Sequence, residues 1–270
     1  MRLQSNLRSA TRRRMLSIVP VMLGLCAAGN SLAVAQTVQK RTPVLVISDD
    51  VKRKDLLFIT AALDPGGDAG FGTKLTVQTP SYLEQGRLDD FAAVVLADVA
   101  RLSDAELAAL EKRVSAGGGL LVFLGPRADA AWYNEKFYAD GKGLLPAPLG
   151  KIEKREWTEA ANIQASDHAT FKPFAEKQQE LLRRVYFARW HAVRDGWKAP
   201  RDGSVKRVAA LEKTIPLIVE KDYGKGRALV VYTFPSEDWT QWQITPSWVV
   251  WLSAVIDYLT GKEPEAIKKK

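Results

Sequence analysis

Residues 91–125, FAAVVLADVARLSDAELAALEKRVSAGGGLLVFLG, read as strand, helix and strand, and few folds accommodate such a unit. Residues 92–97 and 120–124 are apolar without alternation, the pattern of parallel strands buried on both faces. Between them Ser103 and Glu106 have capping-box spacing, and Leu102 with Leu107 can staple the helix entry. Leu107, Leu110 and Val114 recur at i, i+3 and i+7 on one helix face. Lys112 and Arg113 suit the negative end of the helix dipole, and the glycines at 117–119 supply the exit. A strand–helix–strand of this length closes as a right-handed parallel crossover, which predicts an α/β chain.

The segment ahead of this unit reads as an export signal rather than fold. Arg2, Arg8, Arg12, Arg13 and Arg14 form a positive region, and no acid precedes Asp49. Residues 15–28 are apolar, interrupted by Pro20 and Gly24, and shorter than the ~20 residues a membrane span needs. Ala33-Val34-Ala35 has the small-x-small cleavage pattern, so the mature chain is expected to begin at Gln36. The arginine run resembles a twin-arginine signal but also suits ordinary secretion. Leu25 is too bulky for a lipoprotein box at Cys26. Periplasmic or secreted localisation follows, without stable membrane insertion after cleavage.

The chain has 39 Lys+Arg and 31 Asp+Glu; five of the cations and none of the acids lie in residues 1–35. Residues 36–270 therefore carry 34 against 31, a net charge of +3, and nucleic acid loses its main support as a partner. The single cysteine, Cys26, leaves with the signal, removing disulfides, thiolate metal ligands and a cysteine nucleophile. The predicted organisation is signal peptide 1–35, polar leader 36–42, one α/β domain over 43–260 and a basic tail over 261–270.

Residues 43–47 form a first buried strand ending in Ser48-Asp49-Asp50. A helix is expected over 54–63, packing Leu56, Leu57, Phe58 and Ala61 inward, and a strand over 74–78. Gly67 and Gly72 have phosphate-loop separation, but Thr73-Lys74 replaces the required Lys-Ser/Thr pair and no strand precedes them, which excludes nucleotide binding there. Residues 128–137 look helical. Residues 143–150, GLLPAPLG, cannot be helix or central strand and are expected to lie extended over apolar surface. Strands are expected over 185–190, 206–211, 216–221 and 227–234, with a hairpin turn at 223–226. Residues 248–259 close the chain as a helix with Trp248, Trp251, Leu252 and Val255 on one side.

The motifs at 44–47, 94–97, 116–125 (AGGGLLVFLG), 143–150, Asp167-His168 and 224–227 (GKGR) together resemble the class I glutamine amidotransferase-like domain. The resemblance is greatest to the version in bacterial von Willebrand factor A and aerotolerance-regulator-type membrane proteins. It covers residues 42–259. It implies a flavodoxin-like three-layer sandwich with a mostly parallel central sheet, elaborated here by a C-terminal β-hairpin, and an envelope setting. Active members carry a nucleophilic Cys on the turn after the strand matching 120–124, where backbone N–H groups meet the oxyanion. Here the turn is Gly125-Pro126-Arg127, and a matching late His–Glu pair is absent, so glutaminase chemistry is not expected.

Asp49, Asp50 and Asp98 follow carboxyl ends of predicted parallel strands, where open α/β sheets bind ligands. They could hold a hard cation, but acids that cap helices or face solvent are the simpler reading, and no metal or cofactor is expected. Asp167-His168 could orient a general base, against a structural turn with Asp167 as the cap. His191 beside Trp190 reads as packing. Arg127 could bind an anion at the sheet's edge, against a surface salt bridge. Seven of the eight tryptophans fall from Trp157 onward; Trp239 and Trp242 precede Pro246 and are expected on a loop, as a partner surface.

The leading expectation is a non-catalytic envelope domain binding a protein partner or small ligand through Asp49, Asp98, Arg127, Asp167 or His168, or through its Trp-rich flank. The alternatives are a periplasmic hydrolase or carbohydrate-processing enzyme with a rearranged carboxylate/His site, and a solute-binding module.

Overall fold

A computed structural model describes residues 41–66 and 72–265. The expected signal peptide, residues 36–40 of the leader, Gly67 and the last five residues of the tail lie outside the described residues. The elements in chain order are β1 Thr42–Ile47, α1 Leu56–Leu63, β2 Thr73–Gln78, α2 Tyr82–Gln85, β3 Ala93–Ala97, α3 Asp104–Ser115, β4 Gly119–Phe123 and α4 Ala130–Trp132. They continue with β5 Leu149–Lys154, β6 Ala160–Ala161, β7 Ile163–Ala165, β8 Val185–Tyr186, β9 Arg189–Val193, β10 Val205–Leu211, β11 Ile215–Tyr223, β12 Gly226–Val231 and α5 Pro246–Leu259.

The central sheet has eight strands in the order β2-β1-β3-β4-β12-β11-β10-β7. The first five are mutually parallel, and β11, β10 and β7 extend them antiparallel. This is the expected flavodoxin-like α/β sandwich, with the β11–β12 hairpin as its elaboration. Because residues 44–47, 93–97, 120–123 and 228–231 of β1, β3, β4 and β12 are all apolar, alternate side chains build two cores. Val44, Val46, Val95, Leu121, Phe123 and Val231 face α1 and α5. Leu45, Ile47, Val94, Leu96, Leu120, Val122 and Val230 face α3 and the chain after α4.

The helix that organises the sequence forms as its signals dictate. The Ser103 hydroxyl accepts from the Glu106 N–H at 3.1 Å, and the Glu106 carboxylate accepts from the Ser103 N–H at 2.7 Å. Leu107, Leu110 and Val114 are buried. Two glycines permit the approach to neighbouring chain: a Cβ on Gly119 would meet Leu259 at 2.5 Å, and one on Gly226 would meet Val114 at 2.2 Å. Helix α5 lays Trp248, Trp251, Leu252 and Val255 on the opposite core.

Elsewhere the chain departs from its pattern. In α1 the buried residues are Leu56, Ile59, Ala62 and Leu63, whereas Leu57 is 65% exposed. Residues 56–59 are apolar all round, so periodicity does not choose a face and packing does. Residues 128–137 are not one α-helix: α4 gives way to a π-helical turn, Tyr133–Tyr138, that buries both Tyr133 and Phe137. The expected strand at 185–190 divides into β8 and β9, because Phe187 and Ala188 bond to the backbone at 239–240 instead. Residues 143–149 are buried, but they bend at 143–144 and 146–147 rather than lying extended, and are held where the Tyr232 hydroxyl donates to the Ala147 carbonyl at 3.1 Å and Lys221 donates to the Gly141 and Gly143 carbonyls.

The Trp pair is the main correction. Trp242 is fully buried against Trp248 and Trp251, with ring centroids 5.3 and 4.7 Å away, and its Nε1–H donates to the Ser247 hydroxyl at 3.1 Å. Trp239 is 3% exposed. Neither forms an open partner surface, because an indole covered by other indoles removes more apolar area from water than one left on a loop. Trp242→Ala is expected to lower unfolding free energy by about 3–5 kcal/mol, and Leu57→Ala to change it by about 0.5 kcal/mol or less, both read from urea titrations.

Candidate functional site

Where β1, β3, β4 and β12 end, their loops converge beside the switch point at which the strand order reverses between β1 and β3. Asp98 terminates β3 in the left-handed region, φ 53°, with its side chain out of solvent. Both carboxylate oxygens are taken. The Arg53 guanidinium donates to Oδ2 at 2.8 Å, and the Arg127 backbone N–H donates to Oδ1 at 3.0 Å. Arg53 also pairs with Asp55 at 3.1 Å and lies over the Phe234 ring, 4.4 Å from its centroid. Burial pushes the Asp98 carboxyl above the ordinary range, and the bonds from Arg53 and Arg127 offset this only in part. Burial works against the Arg53 charge as well, but Asp98 and Asp55 outweigh it.

The turn after β4 is shaped by the same carboxylate. A Cβ on Gly125 would meet the Asp98 carboxyl at 2.6 Å and Phe234 at 2.8 Å, so only glycine fits. The Gly125 carbonyl accepts from the ring Nε2–H of His191 at 2.9 Å. Burial lowers the His191 pKa, against that bond, which leaves a neutral imidazole whose Nδ1 is buried without a partner among the described residues. The ring packs on Trp239, 5.5 Å between centroids.

Above this floor lies a cleft of 430 Å³, lined by Arg53, Asp55, Pro126, Lys154, Arg189 and Trp239 among others. The ribbon β5–β9 supplies one wall, where Lys154 and Arg189 face each other across the register. Glu237 and Asp238, on the loop after β12, bring two acids to the lining. Arg189 is fixed by donation to the Asp238 carbonyl at 2.7 Å, while the Lys154 amine has no partner among the described residues.

The residues proposed from sequence fall into two groups. Asp49, Asp98 and Arg127 come together at the strand ends. Asp49 accepts from the Ala100 N–H at 2.8 Å, and Arg127 reaches Asp50 at 4.0 Å, so each is engaged locally. Among the described residues no cluster of three His, Cys, Asp or Glu suits a metal ion. Asp167 and His168 lie elsewhere, beside a cavity of 590 Å³ along the edge strand β7. His168, not Asp167, caps the turn that follows: its Nδ1 accepts from the Thr170 N–H at 3.3 Å. Its Nε2 sits 3.4 Å from the buried Glu220 carboxylate, off the line of a hydrogen bond, and Glu220 also meets the Tyr258 hydroxyl at 3.2 Å and Lys206 at 3.5 Å. Arg53, Asp55, Lys154 and Arg189 were not singled out from sequence. An Arg three residues beyond a strand-end acid pair is the one signal for Arg53; the other three carry none.

No family model matches the chain, and no curated protein matches it. Solved structures do. A cytoplasmic protein from Salmonella typhimurium LT2 superposes with a TM-score of 0.60 at 14% identity, over 81% of this chain and 99% of its own. A ThuA-like protein from Parabacteroides merdae matches with a TM-score of 0.52 at 12% identity, over 85% of this chain and 94% of its own. A β-galactosidase from Bacillus circulans sp. alkalophilus matches at 0.53 and 11% identity; 83% of this chain corresponds to 32% of that enzyme. At such identities the likeness shows a shared amidotransferase-like α/β fold and says nothing of activity.

The Glu220 cluster yields a pH dependence. Burial raises the Glu220 pKa, but His168, Tyr258 and Lys206 together outweigh it, so the carboxyl titrates below its ordinary value. A carboxylate depressed in the folded state adds stability above its unfolded pKa, about 4.3 for Glu, and that stability is lost as pH falls through the folded value. Glu220→Gln is therefore expected to be less stable than the parent at pH 7, with the deficit shrinking as pH falls from about 5 to about 3. Chemical unfolding at several pH values checks this; a deficit constant across that window would remove the ion pairs as its cause.

Proposed function

We propose that this chain is an exported, non-catalytic binding module of the cell envelope, with its ligand seated in the cleft over the carboxyl ends of β1, β3, β4 and β12. The observation that carries the reading is that the acid–base groups there are buried in structural contacts and, among the described residues, no nucleophile stands within hydrogen-bond reach of them. Asp98 has both oxygens bonded, His191 donates Nε2–H to the Gly125 carbonyl and keeps its Nδ1 buried away from solvent, and the turn at 125–127 offers glycine, proline and arginine where a nucleophile would stand. General catalysis needs a nucleophile and base within hydrogen-bond reach of each other. His168 has Glu220, Thr170 and Tyr258 for neighbours, and none of the strand-end carboxylates.

The cleft's lining favours a polar occupant with charge of both signs. Lys154 and Arg189 bring cations from the ribbon, Glu237 and Asp238 bring acids from the loop after β12, and Ile152 and Pro126 give apolar surface. An amino acid, a short peptide or an exposed segment of an envelope protein has that pattern. Support for export comes from residues 1–35.

Two measurements test the reading. The protein recovered from its native host is expected in the envelope fraction with Gln36 at its N-terminus, by mass spectrometry; an intact N-terminus in the cytosol refutes export. A thermal-shift screen of amino acids and short peptides is expected to raise Tm with at least one of them, by an amount set by concentration over Kd. Lys154→Ala together with Arg189→Ala should weaken that ligand at least tenfold. Turnover of glutamine, ester or glycoside substrates that is lost in Asp98→Asn would overturn the non-catalytic assignment.

A further inference from the structure

A second cavity, sharing no residue with the carboxyl-edge cleft, lies where the β9–β10 connection folds against the β10–β11 hairpin. Its volume is 530 Å³, within the range of pockets that enclose small organic ligands. The floor is apolar: Val205 and Val219 are buried in the core beneath it, and Val193 and Trp197 pack partly buried against the same core. Pro216 and Ala199 complete the apolar lining.

Two arginines stand at this cavity, and both are placed by the backbone. The Arg194 N–H donates to the Pro148 carbonyl at 2.9 Å, and the Arg194 carbonyl accepts from the Trp197 N–H at 3.2 Å. That turn needs Gly196 at φ +77°, where a side chain would be strained, and it sets the arginine and the indole on one short loop. Arg207 lies opposite Val219 in the β10–β11 register, next to a bulge that spaces Arg207 from Ala209. A bulge re-aims the side chains beside it. Among the described residues neither guanidinium has a hydrogen bond, an ion pair or an aromatic ring as partner. The only other charged residue in the lining is Asp195, so the cavity carries a net charge of +1.

We infer that this cavity binds a small organic carboxylate with a flat apolar body. Each part of the lining has a counterpart in such a ligand. A guanidinium presents two parallel N–H donors that match a carboxylate, an indole offers its face to a ring, and the valines and Pro216 exclude water from the remainder. A neutral ligand would leave both guanidinia unused, and inorganic phosphate would leave the apolar floor exposed.

A matched pair of probes separates charge from shape: 1-naphthaleneacetate and its amide differ only in the group presented to the arginines. Isothermal titration of the purified full-length protein is expected to show the acid binding at least tenfold more tightly than the amide, with inorganic phosphate weaker than either. Arg194→Gln with Arg207→Gln should erase that preference while leaving the thermal unfolding curve in place, since both side chains are exposed. If the double variant proves unstable, each single variant should lose part of the preference. Equal affinity for acid and amide, no binding of the acid at millimolar concentration, or a preference that survives the double substitution would each overturn the inference. None of these outcomes bears on the carboxyl-edge cleft, whose ligand screen and variants are separate.

Discussion

A carboxylate withdrawn from water must be met by donors or it titrates away, and at Asp98 that requirement shapes the whole carboxyl edge of the sheet. One oxygen draws Arg53 back from the loop after β1, and the other fixes the amide of Arg127 beyond β4. The bulk of the carboxyl leaves room only for glycine at 125, and the carbonyl of that glycine in turn positions His191 on β9. Through His191 the β5–β9 ribbon is tied to the strand ends, and the ribbon is the wall of the cleft. One buried acid thus couples the ends of three parallel strands to an element far along the chain.

The antiparallel extension repeats this economy on a different strand. Adjacent residues of β11 send opposite charges to opposite faces of the sheet. Glu220 gathers His168, Tyr258 and Lys206 on the α5 side, and Lys221 captures two carbonyls of the proline-containing segment on the α3 side. Buried charges of this kind are weak evidence for net stability, because their desolvation offsets much of the attraction. Their consequence here is positional: each holds an irregular segment against the sheet where hydrophobic contact alone would allow it to slide.

The turn that follows β4 is occupied by structural contacts. Proline at 126 removes an N–H from the turn, and Asp98 occupies the space below it. What remains at the edge is a cleft whose polar groups are partly held by one another and partly open. Beneath the strands Trp242, Trp248 and Trp251 form an aromatic layer, on which the loops of the carboxyl edge rest.

The sequence by itself determined the elements whose stability is local. The capping box at Ser103 and Glu106 and the glycines ending α3 act within a few residues, and the apolar runs within β1, β3 and β4 mark strands buried on both faces whichever strand pairs with them, so a parallel α/β sandwich could be read from them. That residues 143–150 form neither a helix nor a central strand was legible too, since proline forbids both. Tertiary structure alone decided the rest. Which face of α1 is buried, whether Trp239 and Trp242 are covered, and that Arg53 closes on an acid 45 residues away all depend on surfaces built by distant chain. Asp49 and Asp98 were visible as strand-end acids, but Lys154 and Arg189 were not, because a cation gains its role from the wall it stands in, and a linear pattern carries no record of that wall.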